Sequence, residues 1–413
     1  MLSKFVKNKE LQYKIVFTLF FIAVFRMLAF VPVPFVNRDI LKSIADNGII
    51  SYINLLSGGA LSNLGLMATG ISSYISASII VQLLTYGVKK FSEIANSPGG
   101  DRVIKKITIV LGVLASFIFS LGTTITMQKM YGVLSNDSWY VYLIIAAIHA
   151  MGTGIAVWIG ETITKKGIGN GVSFLILVNI ISSVPRSIMI TKEQVLSGAM
   201  NYAKLSLCII ILIIVTYAIV VFERSERRIR IKYAKASARG NTSFGGTTGY
   251  FPIKLNMSGV MPIIFASSFA QMLAILASLV KGDVGAKIMP LFQRGNIINA
   301  VIMAGLIFLF SYFYNALIFN PRDIANNIQN NGGVIPGVRP GLPTQNFINK
   351  TNKDLTFAGS CYLAIIALVP TVIFSKVGFN GMATTSLMIL VGVGIETSEK
   401  IKLELKTGVF GKL

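Results

Sequence analysis

The chain has 413 residues, of which 53% are hydrophobic and only 13% charged, and its mean hydropathy is +0.69. This apolar content exceeds what a soluble core of this size can bury, so the composition excludes an ordinary soluble globular protein. The formal charge of +22 would fit a nucleic-acid-binding protein, but most Lys and Arg residues lie between the apolar blocks. A membrane is therefore the expected environment.

The apolar residues form ten blocks of about 18 to 24 residues, separated by charged or Gly- and Pro-rich segments. A helix that crosses a hydrocarbon core of about 30 Å needs roughly 20 residues. The predicted transmembrane spans cover residues 15–36, 71–88, 104–127, 139–162, 171–190, 204–222, 257–281, 297–319, 356–376 and 380–398. The first follows a basic start like that of a signal peptide, but it is too long and lacks a small-residue cleavage pattern, so we expect a retained span.

The distribution of positive charge predicts the orientation of these spans. Ten spans place both termini on one side, and a cytoplasmic N-terminus puts 27 of the 38 Lys and Arg residues in cytoplasmic segments. Ten lie in outer loops, and Arg26 lies within the first span. This bias satisfies the positive-inside rule, so we expect an inner-membrane protein with both termini in the cytoplasm.

Two cytoplasmic loops, residues 223–255 and 320–355, are about 30 residues long, whereas most connections in the chain are short. The first is strongly basic, which on charge alone favours an orientation signal attracted to anionic lipid. The second is polar and rich in turn residues, so charge does not explain it. Because long ordered loops tend to carry function, both are candidate docking surfaces for a cytoplasmic partner.

A Gly-rich, half-apolar stretch at residues 54–66 precedes the second span and is too short and polar to cross the membrane. Irregular backbone of this kind is tolerated at membrane depth only where it is buried in protein or lines a wet cavity. The stretch therefore indicates an aqueous interior.

The residues that carry most enzymatic chemistry are missing. His149 is the only histidine, so His-based triads and multi-His metal centres are excluded, and no GxxxxGK[ST] phosphate loop occurs. Cys208 and Cys361 lie in apolar blocks without CxxC spacing and are expected to pack. We interpret His149, Arg26 and Glu161 as structural, with a neighbouring lysine neutralising Glu161, over a proton-relay role for His149. We predict no catalytic residue, cofactor or metal.

Five strings in this chain resemble motifs of the SecY family, the pore-forming subunits of the bacterial Sec translocon. They are SGGALSNLGLMATGISSYISASIIVQLL, WIGETITKKGIGNGVSFLI, ERSERRIRIKYAK, NMSGVMPIIFASS and IANNIQNNGGVIPGVRPG, in the family's order. The resemblance implies an all-α integral membrane fold, with ten transmembrane helices in two pseudo-symmetric five-helix halves around an hourglass pore. The halves would be residues 1–200 and 201–413.

The resemblance also implies a ring of apolar side chains that constricts the pore. The matching positions are Ile71, Ile75, Val172, Ile176, Met261, Ile264 and Ile389. An apolar ring fits loosely around any polypeptide and blocks ions by dewetting when it is narrow. Met261 departs from the isoleucine common in the family, and residues 381–397 lack the paired glycines that usually precede Thr-Ser, so a softer ring is one expectation.

A plug and a lateral gate follow from the same resemblance. The plug would be a short half-helix that rests against the ring and moves aside, formed by Asn54, Leu55, Leu56, Ser57, Gly58, Gly59, Ala60, Leu61, Ser62, Asn63 and Leu64. The second and seventh spans would face each other at a gate that opens to lipid. Gln82 and Asn256 are candidate polar contacts there, and a packing or capping role for Asn256 is equally open.

The resemblance implies that the two long loops dock the SecA ATPase and the ribosome, through Arg227, Arg228, Lys235 and Arg339. Other implied partners are SecE and SecG as small membrane subunits, the unfolded preprotein with its signal peptide, and membrane lipids, with no specific nucleic acid. The chain would be a protein-conducting channel of the bacterial cytoplasmic membrane and not an enzyme. A secondary transporter of a small solute and a membrane scaffold are the alternatives, and composition and topology alone favour the transporter.

Overall fold

The computed structural model describes residues 9–37, 40, 64–198, 200–233, 247–279, 297–379 and 384–410. This part of the chain forms twelve helices and a small three-stranded sheet. The helices are α1 Lys9–Ala29, α2 Ser72–Gly87, α3 Lys89–Asn96, α4 Gly100–Tyr131, α5 Trp139–Lys166, α6 Gly171–Leu196, α7 Tyr202–Arg224, α8 Met261–Leu279, α9 Ile297–Ile318, α10 Pro321–Asn330, α11 Leu342–Val377 and α12 Thr384–Phe410. The strands are β1 Glu226–Tyr233, β2 Thr247–Lys254 and β3 Gly333–Val334.

Each of the ten predicted spans falls on a helix, and seven of these helices are long and apolar enough to cross a membrane. The seven are α1, α4, α5, α6, α7, α9 and α11. The other three predicted spans fall on α2, α8 and α12. Of these, α2 has only 16 residues, because it begins at Ser72, with five residues between it and the end of the Gly-rich stretch.

Some helix boundaries differ from the predicted ones for identifiable reasons. The first span was expected to reach residue 36, but α1 ends at Ala29 because Pro32 and Pro34 follow and cannot continue a helix. In contrast, α11 begins at Leu342, 14 residues before the predicted span. Its first turns lie outside the apolar block and bury Ile348 against the small sheet.

The sheet joins the two long loops that were predicted to be cytoplasmic, and it is an addition that the all-α prediction did not contain. β1 and β2 form an antiparallel hairpin, and β3, from the second loop, pairs with Lys232 and Tyr233 of β1. Along β1 the side chains alternate, so that Ile229 and Ile231 are buried while their neighbours are exposed. The buried side chains pack on α10 and α11, as expected for a sheet with one solvated face.

The membrane helices pack in a similar order in the two parts of the chain. In the first part α2 packs on α4, α4 on α5 and α5 on α6; in the second α8 packs on α9, α9 on α11 and α11 on α12. The two parts meet where α2 contacts α8 and α6 contacts α12. One apolar cluster runs through these contacts.

Candidate functional site: an apolar collar at the helix starts

The seven predicted ring positions lie in the first two turns of four helices or, for Ile71, directly before one. Ile71 directly precedes α2, and Met261 is the first residue of α8. Val172 is the second residue of α6, whose start is fixed by Asn170, because its Oδ1 accepts hydrogen bonds from Val172 N at 3.1 Å and Ser173 N at 3.5 Å. The collar is therefore built from helix starts, which turns and caps position.

All seven side chains belong to the apolar cluster that joins the two parts of the chain. Five of them are buried, with exposures of 1–5%: Ile71, Ile75, Ile176, Ile264 and Ile389. Val172 and Met261 are partly buried and pack against the other members. No member carries a polar group that could hold an ion or a solute.

The predicted plug falls almost entirely outside the described residues, which resume at Leu64. Leu64 has a positive φ of 37° and is only 1% exposed. It packs with Met127 and Val133 in a cluster separate from the collar. Its carbonyl oxygen accepts a hydrogen bond from Val33 N at 3.2 Å, so this end of the segment is tied to the residues that follow α1.

The two predicted gate residues make contacts within their own parts of the chain. Gln82 donates from Nε2 to Ser78 Oγ of α2 at 3.1 Å. Asn256 is buried, and its Nδ2 donates to Glu223 Oε1 at 2.7 Å and to the Gly259 carbonyl at 2.8 Å. The packing of α2 against the second part is mainly apolar and continues to α9, where the Tyr86 ring contacts Phe313 edge-on.

The predicted docking residues lie on or beside the sheet, α10 and the first three turns of α11, which we call the cytoplasmic module after the orientation that the sequence predicts. Arg227, Arg228 and Arg339 are exposed, and Lys235 lies outside the described residues. Arg228 Nη2 forms an ion pair with Glu226 Oε1 at 2.7 Å. Because the module has its own apolar core, it presents these arginines on a folded surface. The alternation of charged and apolar residues in RRIRIK was a sequence signal for strand β1. No sequence signal indicated that the two loops pair with each other.

The remaining ionisable residues that the sequence singled out have structural partners. Glu161 forms ion pairs with Lys105 at 3.2 Å and Lys165 at 3.5 Å. His149 is 1% exposed, and its Nδ1 lies 2.6 Å from Ser120 Oγ. Arg26 donates to Asn179 Oδ1 at 3.4 Å. In the described part of the chain no three His, Cys, Asp or Glu side chains are placed to hold a metal ion.

Sequence reasoning missed a buried hydroxyl cluster behind the collar. Thr69, Ser116 and Thr153 bring their side-chain oxygens within 2.7–3.2 Å of one another. Ser116 and Thr153 are fully buried. The only available signal was the presence of hydroxyl residues within apolar blocks. Because a hydroxyl in a helix commonly bonds its own backbone, the sequence could not show that these three side chains contact one another.

The fold and the collar together define a polytopic helical membrane protein whose two parts meet at an apolar cluster. The SecY family model matches residues 65–398. The protein translocase subunits SecY of Bacillus subtilis and Bacillus licheniformis are 36% and 34% identical to this chain, and each alignment covers 98% of this chain and 96% of the relative. The chain belongs to the SecY family.

Solved structures agree with the fold. One described as the structure of a protein conducting channel has a TM-score of 0.71 at 16% identity, over 98% of this chain and 95% of the other. Sec61 in the canine ribosome-channel complex has a TM-score of 0.66 at 15% identity, with the same coverage. At such low identity these structures bear on the fold alone.

Proposed function

We propose that this chain is the pore subunit of a bacterial Sec translocon, which conducts unfolded secretory polypeptides across the cytoplasmic membrane and releases hydrophobic segments sideways into it. The observation that carries the proposal is the collar, because seven apolar side chains from the starts of four helices meet in one cluster of a SecY-family chain. Family membership makes the chain a protein-translocating channel, whereas a small-solute transporter needs polar sites near the midplane.

Residues 1–200 and 201–413 form the two halves in this proposal, with the pore between them. The support is the similar packing order of the two parts and their contacts through α2 with α8 and α6 with α12. Ile71, Ile75, Val172, Ile176, Met261, Ile264 and Ile389 form the pore ring. The α2 and α8 pair is the lateral gate, with Gln82 and Asn256 beside it, and hydrophobic segments leave there because lipid suits them better than a wet pore.

Residues 54–64 are the plug in this proposal. The Gly-rich sequence supports it, since Gly58 and Gly59 disfavour a rigid helix. The burial of Leu64 against Met127 and Val133 gives the plug a fixed end. A plug tied at one end returns to the ring after each substrate.

The cytoplasmic module is the docking surface for partners that supply energy, namely the SecA ATPase and the ribosome. Arg227, Arg228 and Arg339 are the proposed contacts, together with Lys235, and their exposure on a folded base supports this assignment. SecE and SecG are the proposed small membrane subunits. Energy then comes from the partner, since this chain has no phosphate-binding loop.

Both termini face the cytoplasm in this proposal, and the membrane is the bacterial cytoplasmic one. The support is the excess of Lys and Arg in the segments that this orientation places inside. This orientation also places the cytoplasmic module on the side of the membrane where the SecA ATPase and the ribosome could reach it.

The test is ion conductance of the purified protein in planar bilayers. We expect a closed wild type and a leaky variant that lacks residues 55–64. A variant in which a Gly/Ser linker of equal length replaces residues 55–64 separates loss of the plug from shortening of the chain, and it should leak as well. A deletion variant that is folded and inserted but electrically silent would contradict the plug assignment, and solute uptake would then be measured.

A further inference from the structure

The two facing helices α2 and α8 start in the same way. Each follows a glycine with positive φ, Gly70 at 46° and Gly259 at 59°. In each case the glycine carbonyl accepts a hydrogen bond from a buried polar side chain: Thr153 Oγ1 at 3.0 Å for Gly70, and Asn256 Nδ2 at 2.8 Å for Gly259. A side-chain donor thus holds the turn that precedes the first ring residue of each helix; Thr153 comes from another helix, whereas Asn256 lies three residues before Gly259.

In the first half the donor belongs to the buried hydroxyl cluster. Thr153 Oγ1 of α5 lies 2.8 Å from Ser116 Oγ of α4 and 3.2 Å from Thr69 Oγ1, and Thr69 Oγ1 lies 2.7 Å from Ser116 Oγ. Thr69 and Gly70 directly precede Ile71 of the collar. The start of α2 is therefore tied to α4 and α5 through these hydroxyl groups, in addition to its apolar packing.

The segment just before this point is held much more tightly. A Cβ on Gly65 would lie 2.3 Å from the Ala29 carbonyl oxygen, and a Cβ on Gly152 would lie 2.1 Å from the Leu66 carbonyl oxygen. Leu66 N also donates to the Val31 carbonyl at 2.8 Å. Backbone packed this closely cannot shift without moving whole helices, whereas hydroxyl bonds break and re-form at a small net free energy.

In the second half the donor is fully engaged. The two protons of Asn256 Nδ2 go to Glu223 Oε1 of α7 and to the Gly259 carbonyl, and Asn256 Oδ1 accepts from Ser258 Oγ at 3.2 Å. The start of α8 is thus tied to α7. Thr153 belongs to α5 and Glu223 to α7, so each bond links the start of a proposed gate helix to another helix of the same half.

We propose that these two contacts are latches: Thr153 on Gly70 and Asn256 on Gly259 are positioning residues that hold the first turns of α2 and α8, and so the collar, in the closed arrangement. This inference rests on the proposed channel function. A latch made of one hydroxyl or amide bond is weak enough to release when a substrate enters. The tightly packed residues 64–66 stay in place, so movement begins at Thr69.

The test uses the full chain in planar bilayers and removes the donor without changing its shape. Thr153→Val replaces the hydroxyl by a methyl group and leaves the Gly70 carbonyl without its buried donor, so we expect about a tenfold rise in the open fraction of the resting channel. Thr153→Ser keeps a hydroxyl and should stay near the wild type. Thr162→Val is the matched control, because the Thr162 hydroxyl is exposed and bonds only its own helix.

Ser116→Ala is a second variant, which weakens the same latch from α4 if Thr153→Val does not fold. Asn256→Leu should raise the open fraction in the same way through α8.

The variant that lacks residues 55–64 serves as the positive control. If it conducts while Thr153→Val, Ser116→Ala and Asn256→Leu stay closed, the latches are refuted and the channel stands. If Thr162→Val opens as much as Thr153→Val, the effect is general destabilisation and the latches are also refuted. If the deletion variant alone is silent, the plug assignment fails and the latch variants still decide the latches; if all of these variants are silent, the proposed channel function fails.

Discussion

Gly392 of α12 lies against the start of α8, where an added methyl group has no room. A Cβ at this position would lie 2.3 Å from Val260 Cγ2, whereas ordinary contacts are 3.4–4 Å, so the two helices must separate by more than 1 Å. Val260 is 6% exposed, and its branched side chain has few alternative rotamers. We expect Gly392→Ala to cost about 1–3 kcal/mol from overpacking.

Gly394 provides a matched control on the same helix. A Cβ there meets nothing within 4 Å, so Gly394→Ala should raise stability by about 0.5–1 kcal/mol through helix propensity alone. Because Gly392→Ala gains the same propensity term, the difference between the two variants isolates the clash. In thermal unfolding of the purified protein, the Gly394→Ala midpoint should lie at or above that of the wild type, and the Gly392→Ala midpoint below both.

The clash of Gly392→Ala is with one atom, Val260 Cγ2, so a substitution of Val260 tests it directly. Val260→Ala removes Cγ2 and leaves the valine Cβ 3.5 Å from the added methyl group, an ordinary contact. The cost of Gly392→Ala should therefore vanish in the Val260→Ala background, a coupling of at least about 1 kcal/mol. Equal losses in both backgrounds, or a Gly392→Ala midpoint equal to that of Gly394→Ala, would show that α12 and α8 do not meet as described.

The same substitution should alter the pore, since Ile389 lies about one turn before Gly392 and Val260 directly precedes Met261. Separation of α12 from the start of α8 moves two ring residues apart, so we expect Gly392→Ala to raise resting ion conductance. The Val260→Ala double variant tests whether conductance follows the clash. If conductance remains at the wild-type level while the unfolding midpoint falls, the contact between Gly392 and Val260 does not determine the position of the ring residues.

Three further outcomes are expected. Gly171→Ala should lower the unfolding midpoint strongly, because its Cβ would lie 1.9 Å from the Gly160 carbonyl oxygen. Gly87→Ala is the control and should not lower it, since a Cβ there meets nothing within 4 Å. Equal midpoints of the two variants would contradict the close approach of α5 and α6. Ile231→Asp should unfold the cytoplasmic module, since Ile231 is 1% exposed, and limited proteolysis should then cut the two loops faster than in wild type. Glu161→Gln should change the free energy of unfolding by less than about 1 kcal/mol, because its lysine partners are largely exposed; a larger loss would reveal a buried role.

The positions of the spans could be predicted because hydrocarbon selects apolar blocks of a fixed length. The helix boundaries could be predicted less well where proline or packing outside the membrane determines them. α1 ends early at Pro32 and Pro34, and α11 continues past its apolar block because Ile348 has a second core to fill. Hydropathy carries no signal for a helix that leaves the membrane and packs in water.

The collar residues were assigned only through the motif resemblance, since an isoleucine in a span usually packs or faces lipid, and their pore role stays a prediction. The structure supplies the physical reason for their position, which is their place in the first turns after Gly70, Asn170 and Gly259. The hydroxyl cluster and the joining of the two cytoplasmic loops could not be predicted. Both depend on side chains or strands that are about 40 to 100 residues apart in the chain and have no local pattern.

A collar made from helix starts has a mechanical consequence that mid-helix residues would not give. A residue in the middle of a packed helix moves only with the whole helix, against the close packing of its neighbours. A residue in a first turn depends on the turn before it, and here those turns are held by single side-chain bonds to Gly70 and Gly259. In the proposed channel, small rotations at the starts of α2 and α8 would therefore widen the constriction while the contacts of α4 with α5 and of α9 with α11 persist. The proposed latches thus separate the part that would yield to a substrate from the helix packing that would keep the membrane sealed around it.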